Sequence, residues 1–123
     1  MLVLPGLDGS GITAWTQFPE LALDYDLKAL RIASDDRTSY GDLVSTVTAE
    51  VSRAKAQGRE VVLLGESMGA GVALDCARRE SSSLSSLVLV SPATGWDRTW
   101  LGKMRGWLVT LPAWALGVII ALT

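Results

Sequence analysis

A serine flanked by glycines follows an apolar run near the middle of the chain. Ser67 lies in the pentapeptide Gly65-Glu66-Ser67-Met68-Gly69, directly after the apolar residues 61–64. In a G-x-S-x-G motif a strand turns sharply into a helix, and the small flanking residues leave the serine exposed in a strained backbone conformation. Such a serine can attack an ester or thioester carbonyl. The spacing therefore predicts that Ser67 is the nucleophile of an acyl-transfer site, with Gly65 and Gly69 forming its elbow.

The tetrahedral intermediate of that reaction needs hydrogen-bond donors for its oxyanion. The backbone N–H of Met68 lies at the start of the predicted helix, where the helix dipole also favours negative charge. The glycine-rich loop of residues 6–11 should supply a second donor, and its best candidate is the backbone N–H of Leu7. A plain glycine-rich turn is the alternative. The glycine spacing does not fit a dinucleotide fingerprint.

The usual base for such a serine is absent, because the 123 residues contain no histidine. In this arrangement the acid and the histidine follow the serine along the chain. Asp97 is the only aspartate after the last predicted strand, and we expect it in a loop beside Arg98. A serine–lysine pair with Lys103 is conceivable, but the sequence does not place that lysine. We therefore expect a truncated chain that does not turn over substrate on its own.

Apolar runs alternate with helical patterns, which predicts an α/β fold. We expect a mostly parallel sheet of about four strands with helices on both faces. The predicted strands are residues 2–4, 26–32, 61–64 and 87–90, and the predicted helices are residues 16–23, 39–58 and 68–80. Ser39 and Asp42 form a capping box for the second helix, and Gly58 is placed to end it. Leu43, Val47, Val51 and Ala54 give that helix its apolar face.

Composition excludes several classes of function. A net charge of -2 without a dense basic block argues against nucleic-acid binding. The single Cys76 cannot form an internal disulfide, and no pairing of cysteines and histidines suggests a metal site or another cofactor. We expect Cys76 to be a small buried apolar residue. The N-terminal residues resemble neither a signal peptide nor a transit peptide.

Residues 107–123, which begin with Trp107 and end with Thr123, carry no charge. As a helix they would span about 25 Å, slightly less than the hydrocarbon core of a bilayer. We therefore divide the chain into a core of residues 1–106 and this apolar segment. It is either a cap or lid piece, interrupted at Pro112, or a membrane anchor.

Four motifs together resemble the phytyl ester synthase family, the plastid esterase/lipase/thioesterase-type acyltransferases of the α/β-hydrolase superfamily. They are residues 4–11 (LPGLDGSG), 35–38 (DDRT), 65–69 (GESMG) and 91–94 (SPAT), and the resemblance covers roughly residues 2–112. It implies a partial α/β-hydrolase fold, here the third to sixth of eight strands. Ser67 matches the family nucleophile, and Leu7 and Met68 match its oxyanion positions.

The resemblance also implies a chemistry and a place. Family members transfer acyl groups to phytol or diacylglycerol from acyl-CoA, acyl carrier protein or galactolipid, which implies a lipid ester or acyl thioester substrate. It implies a chloroplast location, at plastoglobules or thylakoids. The later acid and histidine and the family's second, acyltransferase-like domain have no counterpart in this sequence. The family's lid after the sixth strand favours a cap role for residues 107–123.

Two other hypotheses remain open at this point. One is a non-catalytic module that associates with lipids or membranes through residues 107–123. The other is a flavodoxin-like binding domain without acyl chemistry, since its strands and helices alternate in the same way.

Overall fold

The computed structural model of the chain describes residues 1–93. The predictions for Asp97, Lys103 and residues 107–123, and the domain boundary at residue 106, lie outside the described residues. The elements are β1 (Leu2–Leu4), α1 (Ile12–Trp15), α2 (Phe18–Leu21), β2 (Lys28–Ala29), α3 (Tyr40–Ala56), β3 (Val62–Glu66), α4 (Met68–Arg79), a single 3-10 turn (Ser81–Ser83) and β4 (Ser86–Val90). Among the helices of this part of the chain, none is long and apolar enough to cross a bilayer.

The four strands form one parallel sheet in the order β2-β1-β3-β4. In its register, Leu63 of β3 lies between Leu2 of β1 and Leu87 of β4. The chain leaves β1 for β2 on one side and then crosses to β3 on the other. The carboxyl ends of β1 and β3 therefore meet where the strand order reverses, the place at which open α/β sheets bind ligands. The predicted α/β fold with a parallel sheet is confirmed.

Helices α3 and α4 cover one face of this sheet, because both present apolar side chains at helical spacing. The buried core comprises Leu4, Val44, Val47, Val51, Val61, Leu63, Val72, Ala73 and Cys76. Val47 and Val51 belong to the predicted face of α3. Val44 is more deeply buried than the predicted Leu43, which is only half-buried.

Both predicted ends of α3 are confirmed. The Ser39 hydroxyl accepts a hydrogen bond from the Asp42 backbone N–H at 3.2 Å and donates to the Asp42 carboxylate at 2.6 Å. At the other end Gly58 has a φ of 73°, and its N–H donates to the Lys55 carbonyl at 2.9 Å. The Arg59 N–H donates to the Ala54 carbonyl at 3.1 Å, which completes a Schellman motif.

Two predicted elements differ from the structure. The helix expected at residues 16–23 is replaced by the short helices α1 and α2. Pro19 cannot donate to the carbonyl of Trp15 and its ring would clash there, so α1 ends at Trp15 and a new helix starts at Phe18.

The strand expected at residues 26–32 is only Lys28–Ala29. Within residues 1–93 it is an edge strand, and its neighbour β1 is three residues long. After Ala29 the backbone still makes hydrogen bonds, but these no longer form a regular strand ladder. The Leu30 N–H donates to the Val3 carbonyl at 2.9 Å, and the Ile32 N–H donates to the Gly9 carbonyl at 3.0 Å.

Candidate active site

Ser67 occupies the single-residue turn between β3 and α4. Its φ of 51° and ψ of −111° lie in a region that residues with a side chain rarely adopt. The Ser67 N–H donates to the Val90 carbonyl at 3.0 Å, and the Ser67 carbonyl accepts from the N–H groups of Ala70 and Ala93, both at 3.2 Å. The strained turn is therefore held from α4 on one side and from the end of β4 on the other.

The glycines on either side of Ser67 are required by close backbone contacts. A Cβ atom at Gly65 would lie 2.4 Å from the Gly69 carbonyl oxygen, and one at Gly69 would lie 2.4 Å from the Pro5 carbonyl oxygen. Real Cβ atoms essentially never come this close. The first turn of α4 can therefore approach β3 and the end of β1 only because neither position carries a side chain.

The glycine-rich loop after β1 lies beside the turn. A Cβ atom built on Gly6 would be 3.6 Å from the Cβ of Ser67. The loop is closed by the Gly9 N–H, which donates to the Gly6 carbonyl at 3.1 Å, and it is tied to the chain after β2 through the Ile32 N–H. The structure thus brings together the loop and the serine that the sequence analysis assigned to one site.

The two candidate oxyanion donors lie in this same region. Met68 is the first residue of α4, and the N–H groups of a first helical turn have no acceptor within the helix. Within residues 1–93 the backbone N–H of Leu7 makes no backbone hydrogen bond, and Leu7 is 84% exposed. Leu7 and Met68 both line one cleft, so the two residues border the same open space.

The described residues supply no base for this serine. Within residues 1–93, no hydrogen bond joins the Ser67 hydroxyl to another side chain, and the sequence contains no imidazole. The carboxylate of the glycine-rich loop, Asp8, accepts hydrogen bonds from the backbone N–H and the hydroxyl of Ser10. Residues 1–93 thus bring together a candidate nucleophile and candidate oxyanion donors, without a histidine beside them.

The cleft beside the turn has a volume of about 270 Å³. It extends from the glycine-rich loop across the chain after β2 to the start of α3. Its lining consists of Leu7, Asp8, Gly9, Ile32, Ala33, Ser34, Asp36, Thr38, Tyr40, Leu43 and Met68. Sequence reasoning did not assign the cleft residues after β2 to the site, although the motif at residues 35–38 was a signal for them.

Two titrating groups of the cleft are held by specific partners. The pKa of the Asp36 carboxyl lies below its usual range, because the side chain and the backbone N–H of Thr38 donate to it, the latter at 2.7 Å. Partial burial raises the pKa of Tyr40, which is 47% exposed, to about 12, and its hydrogen bond to Asp75 at 3.0 Å acts in the same direction. At neutral pH the cleft therefore presents a carboxylate from Asp36 and a neutral phenol from Tyr40.

Cys76 is fully buried in the core, as the sequence predicted, and burial raises the pKa of its thiol. Among residues 1–93, no group of three or more histidine, cysteine, aspartate or glutamate side chains is arranged to hold a metal ion.

Comparison with known proteins adds to this geometry. The sequence profile of the family described as serine aminopeptidase, S33 matches residues 29–120. Two curated relatives from Arabidopsis thaliana are similar over 114 residues. Phytyl ester synthase 2, chloroplastic, is 36% identical to this chain, and phytyl ester synthase 1, chloroplastic, is 32% identical. Each alignment covers 91% of this chain and 16% of the relative, so the chain spans about one sixth of the length of these relatives.

Proposed function

Because the chain belongs to the serine aminopeptidase S33 family of α/β-hydrolases, we propose that Ser67 is the nucleophile of an acyl hydrolase or acyltransferase that acts on lipid esters or thioesters. The observation that carries this proposal is the φ of 51° at Ser67, at the turn from β3 into α4. A serine is held in such a conformation only where the surrounding structure compensates the strain, and this is common at catalytic sites.

In the proposed reaction the Ser67 Oγ attacks the carbonyl carbon of the ester or thioester while a base accepts its proton. The backbone N–H groups of Leu7 and Met68 stabilise the tetrahedral oxyanion. The bond to the alcohol or thiol then breaks, the leaving group takes up a proton, and an acyl-Ser67 intermediate remains. Water or an acceptor alcohol subsequently attacks this intermediate and releases the acyl group as an acid or a new ester.

A base from outside these 123 residues is part of this proposal, because the 123 residues contain no histidine. The chain on its own is therefore expected not to turn over substrate at enzymatic rates. The relatives are named phytyl ester synthases and chloroplastic. Their names support phytol as an acyl acceptor and the chloroplast as the location, and we extend this to diacylglycerol as a second acceptor and to plastoglobules or thylakoids.

An external base tests the role of Ser67. The chain is incubated with p-nitrophenyl butyrate with and without imidazole, and acylation is followed by intact mass and peptide mapping. With imidazole, a single butyryl group is expected on Ser67 and none on the Ser67→Ala variant. Ser82→Ala, which changes an exposed serine of the 3-10 turn, should acylate like the parent chain.

Without imidazole, nitrophenol release should match that of Ser67→Ala. Rapid release by the parent chain alone, lost in Ser67→Ala, would overturn the requirement for an external base. Butyryl groups spread over other side chains, at a rate that Ser67→Ala does not change, would overturn the assignment of the nucleophile.

A further inference from the structure

Ser91, which directly follows β4, has a backbone conformation as unusual as that of Ser67. Its φ is 44°, and within residues 1–93 these two serines are the residues other than glycine with a positive φ. Residues with a side chain rarely adopt such a φ. Pro92 adds to the strain at Ser91, because a residue before proline prefers extended backbone. Strain of this kind persists where the surrounding structure imposes it, often beside a functional site.

Pro92 interrupts the hydrogen-bond ladder between β3 and β4. The last pair in register is Glu66 with Val90, and the Ser67 N–H donates to the Val90 carbonyl at 3.0 Å. If the parallel ladder continued, the Ser67 carbonyl would accept from the backbone nitrogen of residue 92. A proline has no N–H, and the Ala93 N–H donates to that carbonyl instead, at 3.2 Å. One extra residue therefore lies between the two hydrogen bonds, as in a β-bulge.

The end of β4 thus holds the peptide groups on both sides of Ser67. The peptide before it is bound through its N–H to Val90, and the peptide after it is bound through its carbonyl to Ala93. Each peptide group is planar, so fixing both planes fixes the φ and ψ between them. The strained backbone of Ser67 is therefore matched to the spacing of Val90 and Ala93, and the conformation of Ser91 sets that spacing.

The Ser67 carbonyl and the Met68 N–H belong to one peptide group. In a trans peptide these two bonds lie in one plane and point in opposite directions. A hydrogen bond that fixes the carbonyl therefore also orients the N–H. The Ala70 N–H donates to the same carbonyl at 3.2 Å, but Ala70 belongs to the helix that Met68 starts. Ala93 is the donor that ties the direction of this peptide group to the sheet.

We propose that the turn of residues 91–93 positions the candidate oxyanion donor. Ser91 and Pro92 place the Ala93 N–H so that it holds the Ser67 carbonyl, and this contact orients the Met68 N–H. A donor stabilises an oxyanion best when it is already directed at the position where the charge develops. The catalytic value of this orientation rests on the function proposed for Ser67, whereas the orientation itself does not. The three residues of the turn act through Ser67 and Met68 and are positioning residues.

NMR of the folded 123-residue chain measures this orientation directly. The residual dipolar coupling of the Met68 N–H reports its direction, and a coupling across the hydrogen bond joins the Ala93 nitrogen to the Ser67 carbonyl carbon. Ala93→Pro removes the donor, so it should abolish the second coupling and change the first. Ala93→Ser keeps the backbone N–H at an exposed position and should preserve both. Unchanged dipolar couplings in α3 show that the fold of each variant is intact.

Pro92→Ala tests how the turn arises. It returns an N–H to residue 92, so the ladder can continue and the strain at Ser91 can relax. The coupling to the Ser67 carbonyl should move from residue 93 to residue 92. The three-bond coupling between the amide and α protons of Ser91 should rise to the value of extended backbone. A variant that keeps both couplings of the parent chain would overturn the proposal.

Acylation of Ser67 by p-nitrophenyl butyrate with imidazole measures the consequence for reactivity. Loss of one oxyanion donor typically slows an enzyme by roughly 100- to 1000-fold, and a misdirected donor keeps part of its effect. Ala93→Pro should therefore acylate about tenfold more slowly than the parent chain. Ala93→Ser should acylate at the rate of the parent chain.

An unchanged Met68 dipolar coupling in Ala93→Pro would overturn the proposal. So would a changed coupling without slower acylation, or an equal loss of rate in Ala93→Ser. If the parent chain is not acylated at Ser67, the proposed function fails. The couplings of Ala93→Pro still decide in that case whether residues 91–93 orient the Met68 N–H, so the two failures are distinct.

Discussion

Gly69 lies so close to Pro5 that a Cβ atom on Gly69 would come within 2.4 Å of the Pro5 carbonyl oxygen. The contact joins the helix that starts after the serine to the chain that leaves β1. It therefore sets how far the glycine-rich loop lies from the Ser67 turn. The same Cβ would lie 2.6 Å from the Leu4 carbonyl oxygen, so backbone surrounds this position on the side of β1.

Gly69→Ala is expected to lower the free energy of unfolding by about 1–3 kcal/mol, the usual cost of forcing extra atoms into a packed site. The obstacle is backbone rather than a movable side chain, so the helix or the loop must shift. Urea denaturation followed by circular dichroism measures the change.

Gly41→Ala is the matched control for this variant. Gly41 lies in the first turn of α3, and a Cβ atom at this position would lie 3.9 Å from the Ser39 hydroxyl oxygen. It should leave stability unchanged or raise it by about 0.4–1 kcal/mol, through the lower entropy of the unfolded chain. Equal stability of Gly69→Ala and the parent chain would contradict the tight contact at Pro5.

Tyr40 should titrate well above an ordinary tyrosine. Its pKa is raised from 10.0 to about 12, first by burial and then by its hydrogen bond to Asp75. A pKa that is higher in the folded state means that the unfolded chain loses this proton first. The stability that Tyr40 contributes is therefore fully present below pH 10 and is lost as the pH rises towards about 12.

Tyr40→Phe tests this dependence. Below pH 10 the variant should be less stable than the parent chain by about 1 kcal/mol, a typical value for one hydrogen bond. The difference should shrink as the pH rises, and the ultraviolet titration of phenolate should lose its highest component. Tyr25→Phe is the control. A constant difference between the parent chain and Tyr40→Phe from pH 8 to pH 12, about two units to either side of an ordinary tyrosine pKa, would contradict the assignment.

Cys76 should be unreactive in the folded chain. It is 0% exposed, burial raises its pKa, and it is the single cysteine of the sequence. A thiol reagent such as dithionitrobenzoate should therefore modify the folded chain only through opening, at a rate that rises with urea. The reaction rate of the chain unfolded in concentrated urea gives the reference value for a fully exposed Cys76 thiol. Immediate reaction of the folded chain would contradict the burial of this thiol.

Much of the fold could be predicted because local signals agreed with it. The apolar runs of β3 and β4 and the ends of α3 are specified by nearby residues. Ser39, Asp42 and Gly58 make hydrogen bonds to residues only three positions away in the sequence. Their roles at the ends of α3 could therefore be derived from the sequence. Pro19 is a local signal as well, since a proline at the start of α2 prevents one continuous helix from running through this position.

The remaining features depend on contacts between distant parts of the chain. The two-residue length of β2 follows from the short β1 with which it pairs. The position of Gly9 in its loop is fixed by the hydrogen bond that its carbonyl accepts from the Ile32 N–H. Asp36 and Tyr40 border the cleft only because the chain after β2 returns towards the start of α4. No sequence pattern around Asp36 and Tyr40 indicates that they lie near the start of α4. The nucleophile motif was visible in the sequence, whereas the charge of its neighbouring cleft was not.

The hydrogen bonds of Ser67, whose N–H donates to Val90 and whose carbonyl accepts from Ala93, bear on how the protein is made. Two of the backbone interactions that hold the turn need residues that the ribosome adds more than twenty positions after the serine. A nascent polypeptide that has just exposed Ser67 therefore cannot yet fix it in place. The geometry of the Ser67 turn is completed only after β4 has emerged, so the hydroxyl is positioned later than its own motif is synthesised.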